Sequence, residues 1–281
     1  MRQNHKLFQQ HPLDTEFELD GETVTSPYHI YNGSILFIGG RADAKTAQAL
    51  LKDEQLTPIV DQDGKALMAL WICDFTEANL GAHHELQFSI FASYKPQPPV
   101  TPHPFAIYRQ LMLNPETMMV CHGLWNSTAK VVRYNQSHLM LDARVCDSTI
   151  NINPTDKQWN FQFKDTDSQT PLLTGTINLP KQQPPSALYH MLRHLGFGGM
   201  MKTITNPFIE VPVVNTISPY ATENKIARTY THSDMQIVTQ FTPESGQLTI
   251  EAPQYQALQF QPDFIQNNQG IKFVYKRPIE P

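Results

Sequence analysis

Cysteine is scarce in this chain: Cys73, Cys121 and Cys146 are an odd number with no C-x-x-C spacing. That argues against a disulfide framework. Cys73 and Cys121 sit inside apolar runs, where cysteine packs as a small hydrophobe, so a reducing, cytoplasmic setting is expected. Long hydrophobic runs are absent too. None approaches the ~20 residues of a membrane span, and Met1–Asp20 lacks the apolar block of a signal peptide. Nor is there a basic excess. Lys and Arg number 21 against 26 Asp and Glu, giving a net charge of -5 and a pI near 6.1, so no nucleic-acid partner is expected. Gly196-Phe197-Gly198-Gly199 lacks the preceding strand and the following Lys-Ser/Thr of a phosphate loop, and reads as a helix-to-strand joint.

What is present is apolar and strand-like. Hydrophobic residues make up 40% of the 281 positions, enough for a sizeable core. A polar segment, residues 1–26, is expected to wrap a surface or fray, followed by one domain over 27–281. Tyr28–Gly39 reads as a strand. Asp43 caps a helix over Ala44–Lys52, and Leu56–Val60 is expected to form a hairpin with Ala66–Phe75 across Asp61-Gln62-Asp63-Gly64. Glu85–Tyr94 alternates as a half-covered strand does. Lys95–Pro104 is proline-rich and reads as a loop or sheet edge.

Further strands are expected over Phe105–Leu113, Thr117–Leu124, Val131–Tyr134, Leu139–Val145, Trp159–Lys164 and Leu172–Leu179. A helix over Ser186–Leu195 follows, then strands over Phe208–Ile217, Gln236–Phe241, Gly246–Glu251, Ala257–Phe260 and Gly270–Tyr275. This rhythm gives a β-rich α+β fold, a barrel or double β-cone with a few helices.

Residues suited to chemistry gather at the two ends of Asn79–Lys130: Asn79-Leu80-Gly81-Ala82-His83-His84-Glu85-Leu86, and Cys121-His122-Gly123-Leu124-Trp125-Asn126-Ser127-Thr128-Ala129-Lys130. With Pro27-Tyr28-His29-Ile30-Tyr31-Asn32 upstream, the set resembles the acetoacetate decarboxylase superfamily. Its members carry Pro-Tyr-x-x-x-Asn-Arg, Leu-Gly-x-x-x-Glu and Glu-Leu-x-x-x-Pro-Lys-Lys segments. Asn32, Leu80, Gly81, Glu85 and Leu124 match. Gly33 stands in place of the arginine, Ala129 in place of the lysine that forms the Schiff base, and Lys130 at its lysine neighbour.

The resemblance implies a homo-oligomeric lyase, without a cofactor, in which a lysine of depressed pKa condenses with a ketone. Ala129 has no amine. On a strand Lys130 would face away from a pocket that residue 129 faces, unless a bulge turned it inward. Glu85 is the remaining catalytic candidate, an acid or base if the walls are apolar, against the alternative of a strand-end carboxylate bonded to a backbone amide. Alternation places His83 beside Glu85 and His84 opposite. Asn32, Gly33, His83, Trp125, Asn126 and Ala129 are the expected substrate-binding positions, with Trp125 as a wall or simply core. Ser127 has no visible triad partners.

No metal site is expected. Adjacent His83 and His84 cannot share an ion with His122 without distortion, and His190 and His194 lack the glutamate of a zinc-protease helix. The reading is a protein that binds a small keto acid, ketone or related organic acid in an internal cavity, its Schiff-base decarboxylation impaired or replaced. A non-catalytic carrier or sensor, or an aldolase- or dehydratase-type lyase using Glu85, are the alternatives.

Overall fold

The computed structural model describes residues 5–52, 55–103, 106–153, 155, 157–179, 209–215 and 225–279. The expected helix Ser186–Leu195, with His190, His194 and the Gly196–Gly199 joint, lies outside them.

The first strands, β1 (Thr15–Leu19) and β2 (Glu22–Ser26), form a separate hairpin. The others are β3 (Tyr28–Asp43), β4 (Thr57–Pro58), β5 (Lys65–Ala78), β6 (His83–Ser93), β7 (Met118–Asn126), β8 (Ala143–Asn153), β9 (Gln158–Asp165), β10 (Pro171–Asn178), β11 (Ile209–Asn215), β12 (Lys225–Gln240), β13 (Gly246–Ile250) and β14 (Gln261–Ile279). Among the described residues these twelve make one mixed sheet in the order β13-β10-β9-β8-β7-β11-β12-β14-β3-β5-β6-β4. Its ends, β13 and β4, stay apart, so the whole sheet is not a closed barrel. Within it, β6 also pairs with β7. The run from β7 through β11, β12, β14, β3 and β5 to β6 therefore returns to its start and surrounds an interior.

Strand alternation explains two cores. On β3, Ile35 and Phe37 join one buried cluster, whereas Leu36 and Ile38 join another. Both faces are covered, and the sequence accordingly runs apolar without interruption. The first cluster fills the interior of the curled run. The second lies on the other face, beneath α2 (Ala44–Leu50), α5 (Pro253–Gln256) and the β9–β10 limb, from which Trp159, Phe161 and Phe163 contribute. Asp43 caps α2 as expected, its Oδ1 accepting from the Thr46 amide at 2.8 Å.

Several elements depart from expectation. The Asp61–Gly64 turn forms, but only Val60 bridges to Ala66, and β4 pairs instead with β6. The run expected as a strand over Phe105–Leu113 is helical where it is described: α3 (Ala106–Leu113) buries Ala106 and Ile107 and partly covers Leu111, a helical spacing. Val131–Tyr134 belongs to α4 (Ala129–Ser137), which buries Val131, Val132, Tyr134 and Asn135. Over four residues the apolar pattern fits the strand period as well as the helical one, so the pattern alone does not separate the two. Ala257–Phe260 follows α5 as a turn rather than a strand. In the described part of the N-terminal segment, α1 (Lys6–Gln10) buries Leu7 and Phe8, and the hairpin buries Leu19 and Val24.

Gly33 sits where the β3–β5 register shifts, and a Cβ there would meet the Asp74 carbonyl oxygen at 2.5 Å and the Phe75 Cα at 3.0 Å. Backbone atoms cannot swing aside as side-chain tips do. Restoring the arginine of the resembled segment by Gly33→Arg is expected to cost about 1–3 kcal/mol, seen as a lowered thermal midpoint.

Candidate functional site

Inside the curled run lies a largely enclosed cavity of about 50 Å³. That is room for one or two waters, and a small organic molecule would have to push the wall side chains apart to enter. Aromatic and aliphatic side chains dominate its wall, Trp71, Phe75 and Phe273 among them, and its polar groups include Tyr28, Glu85, Gln87 and Asn135. No lysine or arginine lines it among the described residues.

Glu85 enters from β6, opposite Cys73 on β5 and Asn126 on β7. Its surface is only partly covered because the carboxyl group faces the hollow, yet the walls remove it from bulk water. Burial consequently pushes its pKa up to about 7, and one opposing influence is the Asn126 amide, whose Nδ2 donates to Oε2 at 2.9 Å. Asn126 is itself held: Asn135 on α4 donates from Nδ2 to Asn126 Oδ1 at 2.9 Å. A helix, a strand and the carboxyl group thus form one hydrogen-bonded line. The other acidic groups on the wall, the Tyr28 and Tyr275 phenols and the Cys73 thiol, are driven well above their usual values, mainly by burial and further by Glu85. Among the described lining groups Glu85 is therefore the one that changes charge near neutrality.

His83 is buried, two residues before Glu85 on the same strand face. Its Nδ1 lies 2.9 Å from the Gly81 carbonyl and its Nε2 lies 2.6 Å from the Tyr28 hydroxyl. Burial lowers its pKa to about 4, leaving it neutral. His84 points to the other face, with Nδ1 2.9 Å from Ser148 Oγ, and Ser127 Oγ accepts from the His84 amide.

The remaining expected positions stand elsewhere. Asn32 is exposed and donates to Thr76 Oγ1, while Gly33 is packed under β5. Trp125 is not a cavity wall. Leu124 faces the cavity, so alternation turns Trp125 into the second core, where its Nε1 donates to Asp165 at 3.0 Å. Ala129 and Lys130 open α4 on the surface, and the Lys130 Nζ lies 2.6 Å from Glu22 Oε2 with 42% of the side chain exposed. No bulge turns it inward, because this segment is not a strand. His122 meets Tyr255 and the Leu50 carbonyl, away from His83 and His84. No cluster of three metal-binding side chains occurs among the described residues.

Sequence reasoning missed Tyr28, Gln87, Asn135, Thr229 and Thr231 as cavity residues. Gln87 was readable, since it shares the Glu85 face of an alternating strand. Asn135 was hidden by the misread helix, and Thr229 and Thr231 lie on a strand too polar to stand out.

The carboxyl of Glu85 ionises near 4.5 in an unfolded chain and near 7 in the folded one. Folding therefore favours its protonated form, and the stability it permits is full below about 4.5 and lost as pH rises to about 7. Glu85→Gln is expected to be more stable than the parent above pH 7, by up to about 3 kcal/mol, with the difference vanishing at pH 4 in denaturant unfolding. Asn126→Leu removes a donor to the carboxylate, so the Glu85 titration, followed by carboxyl carbon NMR, is expected to move upward from about 7.

No protein-family profile matches the chain, and no curated protein does. Solved structures do. An acetoacetate decarboxylase from Legionella pneumophila is similar at a TM-score of 0.61 with 10% identity, over 97% of this chain and 93% of that one. A second acetoacetate decarboxylase gives 0.58 with 11% identity, over 90% and 89% of the two chains. An acetoacetate decarboxylase-like enzyme from Sphingomonas wittichii gives 0.51 with 10% identity, over 91% and 93%. With near-complete coverage on both sides and a curled strand-rich sheet around an interior, this chain has the acetoacetate decarboxylase fold.

Proposed function

We propose that the protein binds a small keto acid or related organic acid in the cavity centred on Glu85, and that the usual Schiff-base decarboxylation is impaired or replaced. One observation carries the reading: a carboxyl group poised near pH 7 faces an enclosed hollow whose described wall holds no amine. An imine needs a neutral amine within reach of the carbonyl. Lys130 is instead paired with Glu22 on the surface, and Ala129 cannot substitute for it. Cys73, Cys121 and Cys146 are buried and form no disulfide among the described residues, which suits a reducing, cytoplasmic setting.

The electrostatics constrain how an acid enters. Without a cation on the described wall, a carboxylate beside an ionised Glu85 would be two like charges in a low-dielectric space. The acid is bound when one proton is shared between the two carboxyl groups, as in a carboxylic dyad. Glu85 then serves as the acid or base of any lyase chemistry, held in place by Asn126. The loss of both the arginine and the amine with the hollow retained equally suits a carrier or sensor. Turnover abolished in Glu85→Gln, with the fold intact, marks the enzyme; a ligand held without turnover marks the carrier.

Two outcomes are expected. Acetoacetate with borohydride leaves Lys130 unmodified by mass analysis, whereas a trapped imine there would overturn the impairment. Organic-acid affinity by calorimetry is constant from about pH 5 to about pH 7, where the free acid is ionised and Glu85 is not, and falls about tenfold per pH unit above it, and this slope disappears in Glu85→Gln.

A further inference from the structure

The hydrogen-bond directions around the cavity can be assigned. The Gly81 carbonyl only accepts, so the proton of the neutral His83 ring resides on Nδ1. Nε2 is then bare, and the Tyr28 hydroxyl, 2.6 Å away, must donate to it. This fixes the phenol: its proton is committed to His83, and what its oxygen has left to offer a ligand in the cavity that Tyr28 lines is a lone pair. The neighbouring amides each spend an N–H within the wall. Asn135 Nδ2 donates to Asn126, and Gln87 Nε2 donates to Ser89 Oγ at 2.6 Å. Near Glu85 the donors still open to a ligand include the proton of Glu85 itself, the second amide hydrogen of Asn135 and the Nε1–H of Trp71, which lines the cavity and is buried with no partner among the described residues, whereas the hydroxyl beside His83 offers only an acceptor.

A ligand carbonyl set against Tyr28 would bring acceptor to acceptor in a dry site, leaving both unpaired. A ligand hydroxyl set there gains a bond. Sites that hydrogen-bond a substrate group in this way discriminate more sharply than apolar pockets do.

We propose that Tyr28, oriented by His83 as a hydrogen-bond acceptor, selects a hydroxyl-bearing small acid, a hydroxy acid or the enol of a keto acid, over the corresponding ketone. This rests on the reading of the Glu85 cavity as an organic-acid site. Tyr28 is the selecting group, and His83 is a positioning residue that acts only through it.

The test uses matched acids: lactate with pyruvate, and each enantiomer of 3-hydroxybutyrate with acetoacetate, titrated calorimetrically into the full chain at pH 6. The hydroxy acid of each pair is expected to bind about tenfold more tightly. In Tyr28→Phe the preference collapses while acid binding persists, and in His83→Phe the freed hydroxyl can donate, so the preference swings toward the keto acid. The ratio of affinities is the readout, since a purely structural loss would weaken both members of a pair alike. The wild-type ratio requires no variant to fold. Equal affinities, or a keto preference in the wild type, overturn the selection by Tyr28 and leave the acid site standing. Binding of none of these acids overturns both.

Discussion

A carboxyl group is held out of water by the pairing of β6 with β7, and the interior is organised around it. Glu85 and Asn126 are partners in that ladder and are also joined side chain to side chain at 2.9 Å. The same ladder completes the curled run of strands, so the contact that makes an interior also sets its one neutral-range titrating group among the described lining residues. A buried charge without a partner is costly, and the group answers by keeping its proton to about pH 7. The cavity therefore has a chemical state that depends on pH while its walls do not.

Phenol, thiol and carboxyl groups share this hollow, yet they are not equivalent. Burial pushes every one of them toward the protonated form. Tyr28 and Cys73 start so far above neutrality that burial only removes them further from use as bases. Glu85 starts below neutrality, and the same force brings it into range. Asn126 moderates the shift, and Asn135 keeps the Asn126 amide turned the right way.

The parts legible in the sequence were those governed by period. Alternation from Glu85 onward placed β6 and the opposition of His83 and His84, and Asp43 announced α2 by its capping chemistry. The meeting of Glu85 with Asn126 was legible only because segments at both ends of Asn79–Lys130 resemble one family in order. The rule that placed β6 also corrects Trp125, which must face away if Leu124 faces in. Short apolar runs misled: Val131–Tyr134 is helical, and so is the run ending at Leu113. The long strands β12 and β14 were seen only as fragments. Gln266, Asn267, Asn268 and Gln269 interrupt the apolar pattern although Asn267 is fully buried, and ladder partners distant in sequence leave no local trace.

Replacing the strand expected at Ala129 by a helix changes what Lys130 does. Its ion pair with Glu22 is between exposed side chains, and such a pair contributes at most about 1 kcal/mol. Stronger constraints hold α4 against the β1–β2 hairpin: His138 at its C-cap stacks on Phe17 with ring centroids 4.2 Å apart and meets Ser26 Oγ at 2.8 Å, while Tyr134 is fully buried. Lys130 and the Arg133–Asp20 contact trim the outside of this joint. The joint matters to the interior because Asn135 rides on the same helix and ends the line of amides that reaches Glu85. A lysine at the start of α4 thus touches the cavity only through the backbone that carries Asn135, at second hand and without its amine.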